Sequence, residues 1–473
     1  MKLYIAGTDS LAIWFALNDR LYDRDATLHT THVSYAEWSA LTKQDNLDEY
    51  IRRGGLLHLH PTFGELYHGN KLSWTAKDAH NYFNSAIARN IQNSIRRYDE
   101  GICAGLLEPL LEDPAMNTAI YGLFGNLTRN EFIGILDSLS SVDSSSVFSA
   151  LQSLIGHESH RFSANIMAKK FKSSDLSRTV KAFKDKNRAL YYVMKDLSKE
   201  LRDQVEQLLE VRSKIGKLID DAQYIELGKY LHALEVFARR PGQAFLPLNP
   251  TDDDFIQYRK IDELLRSQNI VVQPGLRYAQ ADIVLGLIKQ SPRFRVLSDN
   301  DKYDIIKIYQ DGVYGVMQED IVLYETMQEC KKHGMINSWD DEWTDYISLP
   351  ILSYKAVFPQ DKNNDKDKEI DMVIEDNDNS KFYLIEIKHS DKIDARQGKW
   401  LQDKGVLDRL SVAGREIACR SVMYRGETGW VEGIKYVNIE EYLHTLHYAG
   451  IKSALELLAG GCANLSITPP RNY

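Results

Sequence analysis

The sequence predicts an α+β protein of several domains, and three observations carry that expectation. A short apolar strand, a polar turn and a helix open the chain over residues 2–21. A stretch with helical period fills residues 74–222, and from about residue 290 apolar, β-branched runs alternate with helical ones. At 473 residues the chain has material for about two to four domains with cores of their own. The expected divisions are a partial α/β element at 1–73, a helical region at 74–245, a linker with connecting helices at 246–289 and a C-terminal α/β domain at 290–473.

Lys2-Leu-Tyr-Ile-Ala6 reads as a strand, and Gly7-Thr-Asp-Ser10 as the turn that caps a helix from Leu11 to about Leu21. A single β-α unit cannot bury both faces of a parallel strand, so the chain reads as starting inside a domain. Neither a G-x-x-x-x-G-K-[S/T] phosphate loop nor an apolar strand ending in Asp-Glu occurs anywhere, which argues against a nucleotide site of that kind.

In the middle, Ile87, Ile91 and Ile95 recur every four residues, and Leu106, Leu107, Leu110 and Leu111 form a second stripe. Residues 161–180 read as helix, tight polar turn, helix: Ala168 is small enough for two helices to cross, and Ser173, Ser174 or Asp175 can cap the second. That helix would present Ser177, Arg178, Lys181 and Lys184 to a groove or to phosphates, although such pairs also serve packing alone. Leu197, Leu201, Leu208, Val211, Ile215 and Leu218 mark an amphipathic helix. A further helix over 223–240 should stop at Pro241-Gly242, and Gln273-Pro-Gly-Leu276 should lead into another.

The chemistry concentrates in the last domain. Glu369-Ile-Asp371-Met-Val-Ile and Phe382-Tyr-Leu-Ile-Glu386-Ile-Lys388 read as two strands joined by the polar link 375–381. Side chains two apart share a strand face, so Leu384, Glu386 and Lys388 form one row and Ile385 and Ile387 pack behind it. A charged pair on an apolar strand is costly unless it has a task or a partner. Asp371 and Glu386 are hard oxygen donors suited to Mg²⁺, and the Lys388 ammonium suits a charged phosphorus centre, so phosphodiester hydrolysis is the matching reaction. The alternative is a half-exposed hairpin in which Glu386 and Lys388 form a same-face ion pair and Asp371 is a solvated strand-end acid. Downstream, Gln397-Gly-Lys-Trp400 reads as a helix carrying a Gln or Lys toward the site, strands follow at 417–424 and 433–437, and helices begin at Asn438 and Ile451. The loop 361–368 carries both charge signs and reads as mobile surface.

The Asp, Glu-x-Lys arrangement resembles the PD-(D/E)xK, restriction-endonuclease-like nuclease fold. That resemblance implies a further acid from a preceding helix, for which Glu342 or Asp345 in the Trp339–Ile347 segment is available. It also implies Mg²⁺ on Asp371, Glu386 and the Ile387 carbonyl, with Glu342 assisting and Lys388 steadying the nucleophile. A second likeness covers roughly the first hundred and last hundred and fifty residues. Gly7-Thr-Asp-Ser10, Asp23-Arg24, Val33-Ser-Tyr-Ala-Glu37-Trp38, Tyr50-Ile-Arg-Arg-Gly54-Gly55 and Arg89-Asn-Ile91 are similar, in order and spacing, to a family of bacterial and archaeal AAA-type ATPases that end in such a nuclease-like domain. There Asp9 or Ser10 would be the sensor and Arg24 the arginine near the nucleotide. Thr8 and Asp23 stand where the family usually has Ser and Gly, and the Walker A and B segments are missing. Arg24 and Asp9 therefore have no triphosphate to act on, and ATP becomes a cofactor only if a missing N-terminal half or partner ATPase subunit supplies the site.

Composition bounds the rest. The four cysteines lie far apart without a C-x-x-C pair, so no zinc ribbon or disulfide framework is indicated, and a reducing cytoplasm fits. No signal-peptide profile or membrane-length apolar run is present. A net charge of −9 excludes a wholly basic nucleic-acid binder, leaving DNA to local patches at 89–97, 169–172 with 178–188, and Arg239-Arg240. His58 and His60 alternate like a zinc pair, but no third ligand is placed by spacing. His389 reads as a surface or core-edge residue. Two functions are consistent with these readings: a Mg²⁺-dependent deoxyribonuclease, or a non-catalytic scaffold that binds nucleic acid or protein and docks with an ATPase half. A free Lys388 in an oxygen-rich cavity would favour the first, and a Lys388 locked in ion pairs the second.

Overall fold

In a computed structural model of the chain, the structure describes residues 33–54, 79, 82, 87–97, 104–111, 115–139, 192–204, 220–239, 243–245, 269–335, 349–359, 367–411 and 414–460. These residues form a mixed α/β protein of two compact units. The first takes in Met1–Leu111, Asp221–Ala279 and Tyr314–Tyr473, and the second Glu112–Asp220 and Gln280–Val313.

The described residues of the second unit form helices and the short turns beside them, as expected of the middle of the chain. Its core gathers Phe124, Phe132, Leu197, Leu201, Ile288, Phe294, Ile305 and Tyr309. Polar ties fix its helices: the Ser291 hydroxyl donates to Glu200 at 2.9 Å, and the Tyr309 hydroxyl to the Ala281 carbonyl at 2.9 Å.

The first unit is built on a seven-stranded sheet. Its strands are β2 (Gln243–Phe245), β4 (Ile351–Phe358), β5 (Lys368–Asp376), β6 (Lys381–Ile387), β7 (Glu416–Tyr424), β8 (Gly429–Val431) and β9 (Ile434–Asn438), in the order β2-β4-β5-β6-β7-β9-β8. A separate ribbon pairs β1 (Phe237–Arg239) with β3 (Asn269–Val271). The β4-β5-β6 run is antiparallel, whereas β7 lies parallel to β6 and β9 parallel to β7. Almost every residue of β5 and β6 is buried. The hairpin is therefore the middle of a sheet covered on both faces, not the half-exposed pair of the alternative reading.

Its turn is shorter than the sequence suggested. Glu375 and Asp376 remain in β5, and only 377–380 turn, with Ser380 at φ 54°. Asp376 fixes the turn by accepting from the Asn379 backbone at 3.0 Å and side chain at 2.7 Å. Lys368, expected in a mobile loop, begins β5 and pairs with Asp403 at 2.8 Å; residues 361–366 lie outside the described residues. The helix expected to reach Arg240 ends at Ala233, because Glu235 turns into the left-handed region (φ 52°) and Phe237–Arg239 joins the ribbon. Among the helices, α1 (Tyr35–Thr42), α2 (Leu47–Arg53), α3 (Arg89–Arg97), α4 (Ala115–Leu139), α5 (Asp221–Ala233), α6 (Pro274–Gln290), α7 (Asp299–Gly334), α8 (Lys404–Ser411) and α9 (Ile439–Ala459) follow in chain order. The two helices expected after Asn438 are both present within Ile439–Ala459, α9, divided by a break where Gly450 adopts φ 80°.

Residues 33–54 belong to this same unit and are bound to the C-terminal elements. Ser34 and Glu37 form a capping box on α1. The Tyr35 amide donates to the buried Glu325 of α7 at 2.8 Å, the Leu47 amide to Glu440 of α9 at 3.0 Å, and His444 meets Asp45 at 2.9 Å. The sheet domain thus draws on sequence far upstream of residue 290. Among the described residues, no helix is long and apolar enough to cross a membrane.

Candidate functional site

The register of the hairpin builds the site. Met372 pairs with Ile385, so one further step sets Asp371 directly opposite Glu386 on the same face of the sheet. Two carboxylates opposed in this way repel, and both are buried, at 7% and 3% exposure. Lys388, two residues beyond Glu386 on the same face, answers both: its ammonium lies 2.8 Å from Asp371 Oδ2 and 2.5 Å from Glu386 Oε2. The Ile387 amide also donates to Asp371 Oδ2 at 2.8 Å. The Lys388 side chain is 32% exposed and links the group to solvent.

In this dry setting Glu386 and Lys388 are both shifted. Burial, and then the charge of Asp371, push the Glu386 carboxyl well above the usual carboxylate range, and Lys388 offsets only part of this. Burial alone would lower the Lys388 ammonium, but the two carboxylates reverse the effect and raise it. One feature is left unmatched: Glu386 Oε1 is buried without a hydrogen-bond partner among the described residues. An open, hard oxygen beside a second carboxylate fits a divalent cation such as Mg²⁺. Among the described residues no group of three or more His, Cys, Asp or Glu side chains forms a metal cluster, so the described donors are this pair.

The structure therefore brings together Asp371, Glu386 and Lys388. Asp371 is not the solvated strand-end acid of the alternative reading, while the Glu386–Lys388 ion pair of that reading is present and extended to a third member. Asp9, Ser10, Arg24, Glu342, Asp345, His58, His60 and the 161–180 segment lie outside the described residues. Gln397 is not on an α-helix. It sits in a 3-10 turn (Ala395–Gly398), where its side chain closes a capping box with Asp394.

A second group beside the site was not expected from the sequence. His389 follows Lys388 directly, stacks on Tyr314 of α7 (5.4 Å, 23°) and meets Asp48 of α2 at 3.3 Å. Arg425 bonds the same Asp48 oxygen and reaches Glu440 at 3.4 Å. Burial would raise the Asp48 carboxyl, but His389 and Arg425 together hold it below the usual range. These partners are 341 and 377 residues from Asp48, a separation that sequence pattern does not register. Their effect is to anchor the chain just past Lys388. No protein-family model, curated protein or solved structure matches the chain.

Proposed function

We propose that the chain is a Mg²⁺-dependent nuclease of the PD-(D/E)xK, restriction-endonuclease-like class that hydrolyses DNA phosphodiesters. The observation that carries this reading is the buried, register-opposed pair Asp371 and Glu386 with one carboxylate oxygen left open. A mixed sheet with helices on either side of this hairpin in sequence, α7 before it and α8 after it, also supports that class. Asp371, Glu386 and the Ile387 carbonyl would hold the metal, with Glu342 assisting. Bound Mg²⁺ lowers the pKa of a water so that hydroxide is available near neutral pH.

The chain's own part is positional and electrostatic. Asp371 is held in place by the Ile387 amide, which fixes one oxygen and leaves the carboxylate's direction determined by the strand. Lys388 supplies the one ammonium of the trio, placed to donate to an attacking water and to a scissile phosphate oxygen. His389 and Arg425 keep the strand end in register with the α2 side of the unit. This reading assigns the chain no ATP hydrolysis of its own, and the AAA-type likeness points to an ATPase subunit as partner.

The doubly paired Lys388 favours a second reading, a scaffold that binds nucleic acid or protein without cutting. Cleavage of single- and double-stranded DNA by purified chain in Mg²⁺ or Mn²⁺, with Asp371→Ala and Lys388→Ala alongside, separates the two. The nuclease reading expects metal-dependent cutting that both variants lose; well-folded protein that cuts in neither metal supports the scaffold.

A further inference from the structure

The turn that follows the site strand is a local basic patch in an acidic chain. Between residues 392 and 404 it carries Lys392, Arg396, Lys399 and Lys404 around one tryptophan, Trp400. Asp394 is taken by Arg396 at 2.5 Å, and Asp403 by Lys368 at 2.8 Å. Lys392, Lys399 and Lys404 are exposed and have no carboxylate partner among the described residues.

The turn lies on the carboxylate face of the sheet. A Cβ on Gly398 would stand 2.3 Å from Ile434 Cδ1 and 3.7 Å from Val422, so the backbone there rests on these two side chains. Val422 is the registered neighbour of Glu386, about 4.8 Å away across the ladder, and points to the same face. The Tyr436 hydroxyl, from that same face, donates to the Asp394 carbonyl at 3.2 Å. Leu401 is fully buried and pins the second 3-10 turn (Trp400–Gln402). Half-buried Trp400 is thus held on a rigid base, with the Lys399 ammonium 4.3 Å from its ring centroid and that of Lys368 at 5.5 Å.

A lysine resting on an indole face in water is a weak contact, whereas a nucleobase stacked on that face is held more strongly and for any base. A base arriving there displaces Lys399 and releases its ammonium for the adjoining phosphate. We propose that the 392–404 turn is the strand-gripping element of the site: a single-stranded nucleic-acid segment stacks one base on Trp400 and sets neighbouring phosphates on Lys392, Lys399 and Lys404. This rests on the nuclease reading for its purpose, but binding is measurable without cutting.

The test is fluorescence anisotropy of labelled single-stranded DNA, single-stranded RNA and duplex DNA with the full chain in EDTA, over a salt series. Trp400→Ala, Trp400→Phe and the pair Lys399→Ala/Lys404→Ala are compared, each checked for an unchanged melting temperature. Expected are a roughly tenfold or greater loss of single-strand affinity in Trp400→Ala, near-parent affinity in Trp400→Phe, and a shallower salt dependence in the lysine pair. The DNA and RNA arms identify which strand is held. Parent protein that binds no single strand, or binds it equally well without Trp400 and both lysines, overturns the proposal. Trp400-dependent binding by a chain that never cuts leaves this inference standing and removes the nuclease reading; cutting that ignores Trp400 does the reverse.

Discussion

Arg277 and Asp320 face one another in the sheet-bearing unit, one charge of each sign, at 6% and 3% exposure. On β5, fully buried Glu375 is likewise matched by Arg415. Asp371 and Glu386 are buried to a similar depth, yet they share the single ammonium of Lys388. In each of the arginine pairs one carboxylate faces one guanidinium. The trio has two acidic side chains to one ammonium and keeps an open oxygen, an arrangement that strand packing alone gives no reason to retain. Charge balance therefore separates the structural ion pairs from the candidate site better than burial does.

The comparison is most sharply broken at the matched pair. Asp320→Asn removes the charge facing the buried Arg277 guanidinium and should cost about 3–5 kcal/mol, read as a lower urea midpoint. A loss below about 1 kcal/mol would mean that the pair is no more closed than the trio.

Glu325 shows a third way to bury a carboxylate, which is to keep its proton. Burial raises it from 4.5 to about 8, only partly countered by the Tyr35 amide. Because the folded pKa lies above the unfolded one, the folded chain holds the proton more tightly. Its contribution is full below about 4.5, declines as pH rises through about 8, and then levels off. Between pH 5 and 8.5 this amounts to roughly 4 kcal/mol, which Glu325→Gln should remove from the pH profile of urea unfolding while keeping an acceptor for Tyr35. An unchanged profile in that variant would show that Glu325 ionises normally.

Smaller effects are expected around the site itself. Gly398→Ala forces the turn off Ile434 and should cost about 1 kcal/mol, because only the far end of that side chain must move. Glu386→Gln removes the acid that faces Asp371 and should leave the unfolding free energy within about 1 kcal/mol of the parent, or raise it, while abolishing any stabilisation by added Mg²⁺. A large destabilisation would place the trio among the structural pairs.

The hairpin and the convergence of its three charged residues were legible because period-2 alternation and cross-strand register are local rules. The break in α9 was legible as well, since the apolar pattern restarts at Ile451 just past Gly450. The strands Phe237–Arg239 and Gln243–Phe245 were not, because three residues carry no period and their partners are distant in sequence. The tie from Asp48 to His389 and Arg425 was hidden for the same reason. Trp400 was read as part of a helix, whereas the close seat of Gly398 on Ile434 and Val422 belongs to tight 3-10 turns on the sheet. Of the residues carrying the AAA-type likeness, Asp9 and Arg24 fall outside the described part of the chain, whereas 33–38, 50–54 and 89–91 lie within it.

The most direct measurement is a Mn²⁺ titration of the purified chain followed by electron paramagnetic resonance, in parent, Asp371→Ala, Glu386→Gln and Asp320→Asn. An unbalanced trio should bind one Mn²⁺ per chain, lose it in the first two variants and keep it in any folded fraction of the third. A parent that binds no Mn²⁺, or that still binds it after Asp371 and Glu386 are both replaced, would contradict the claim that this site is built to take a metal.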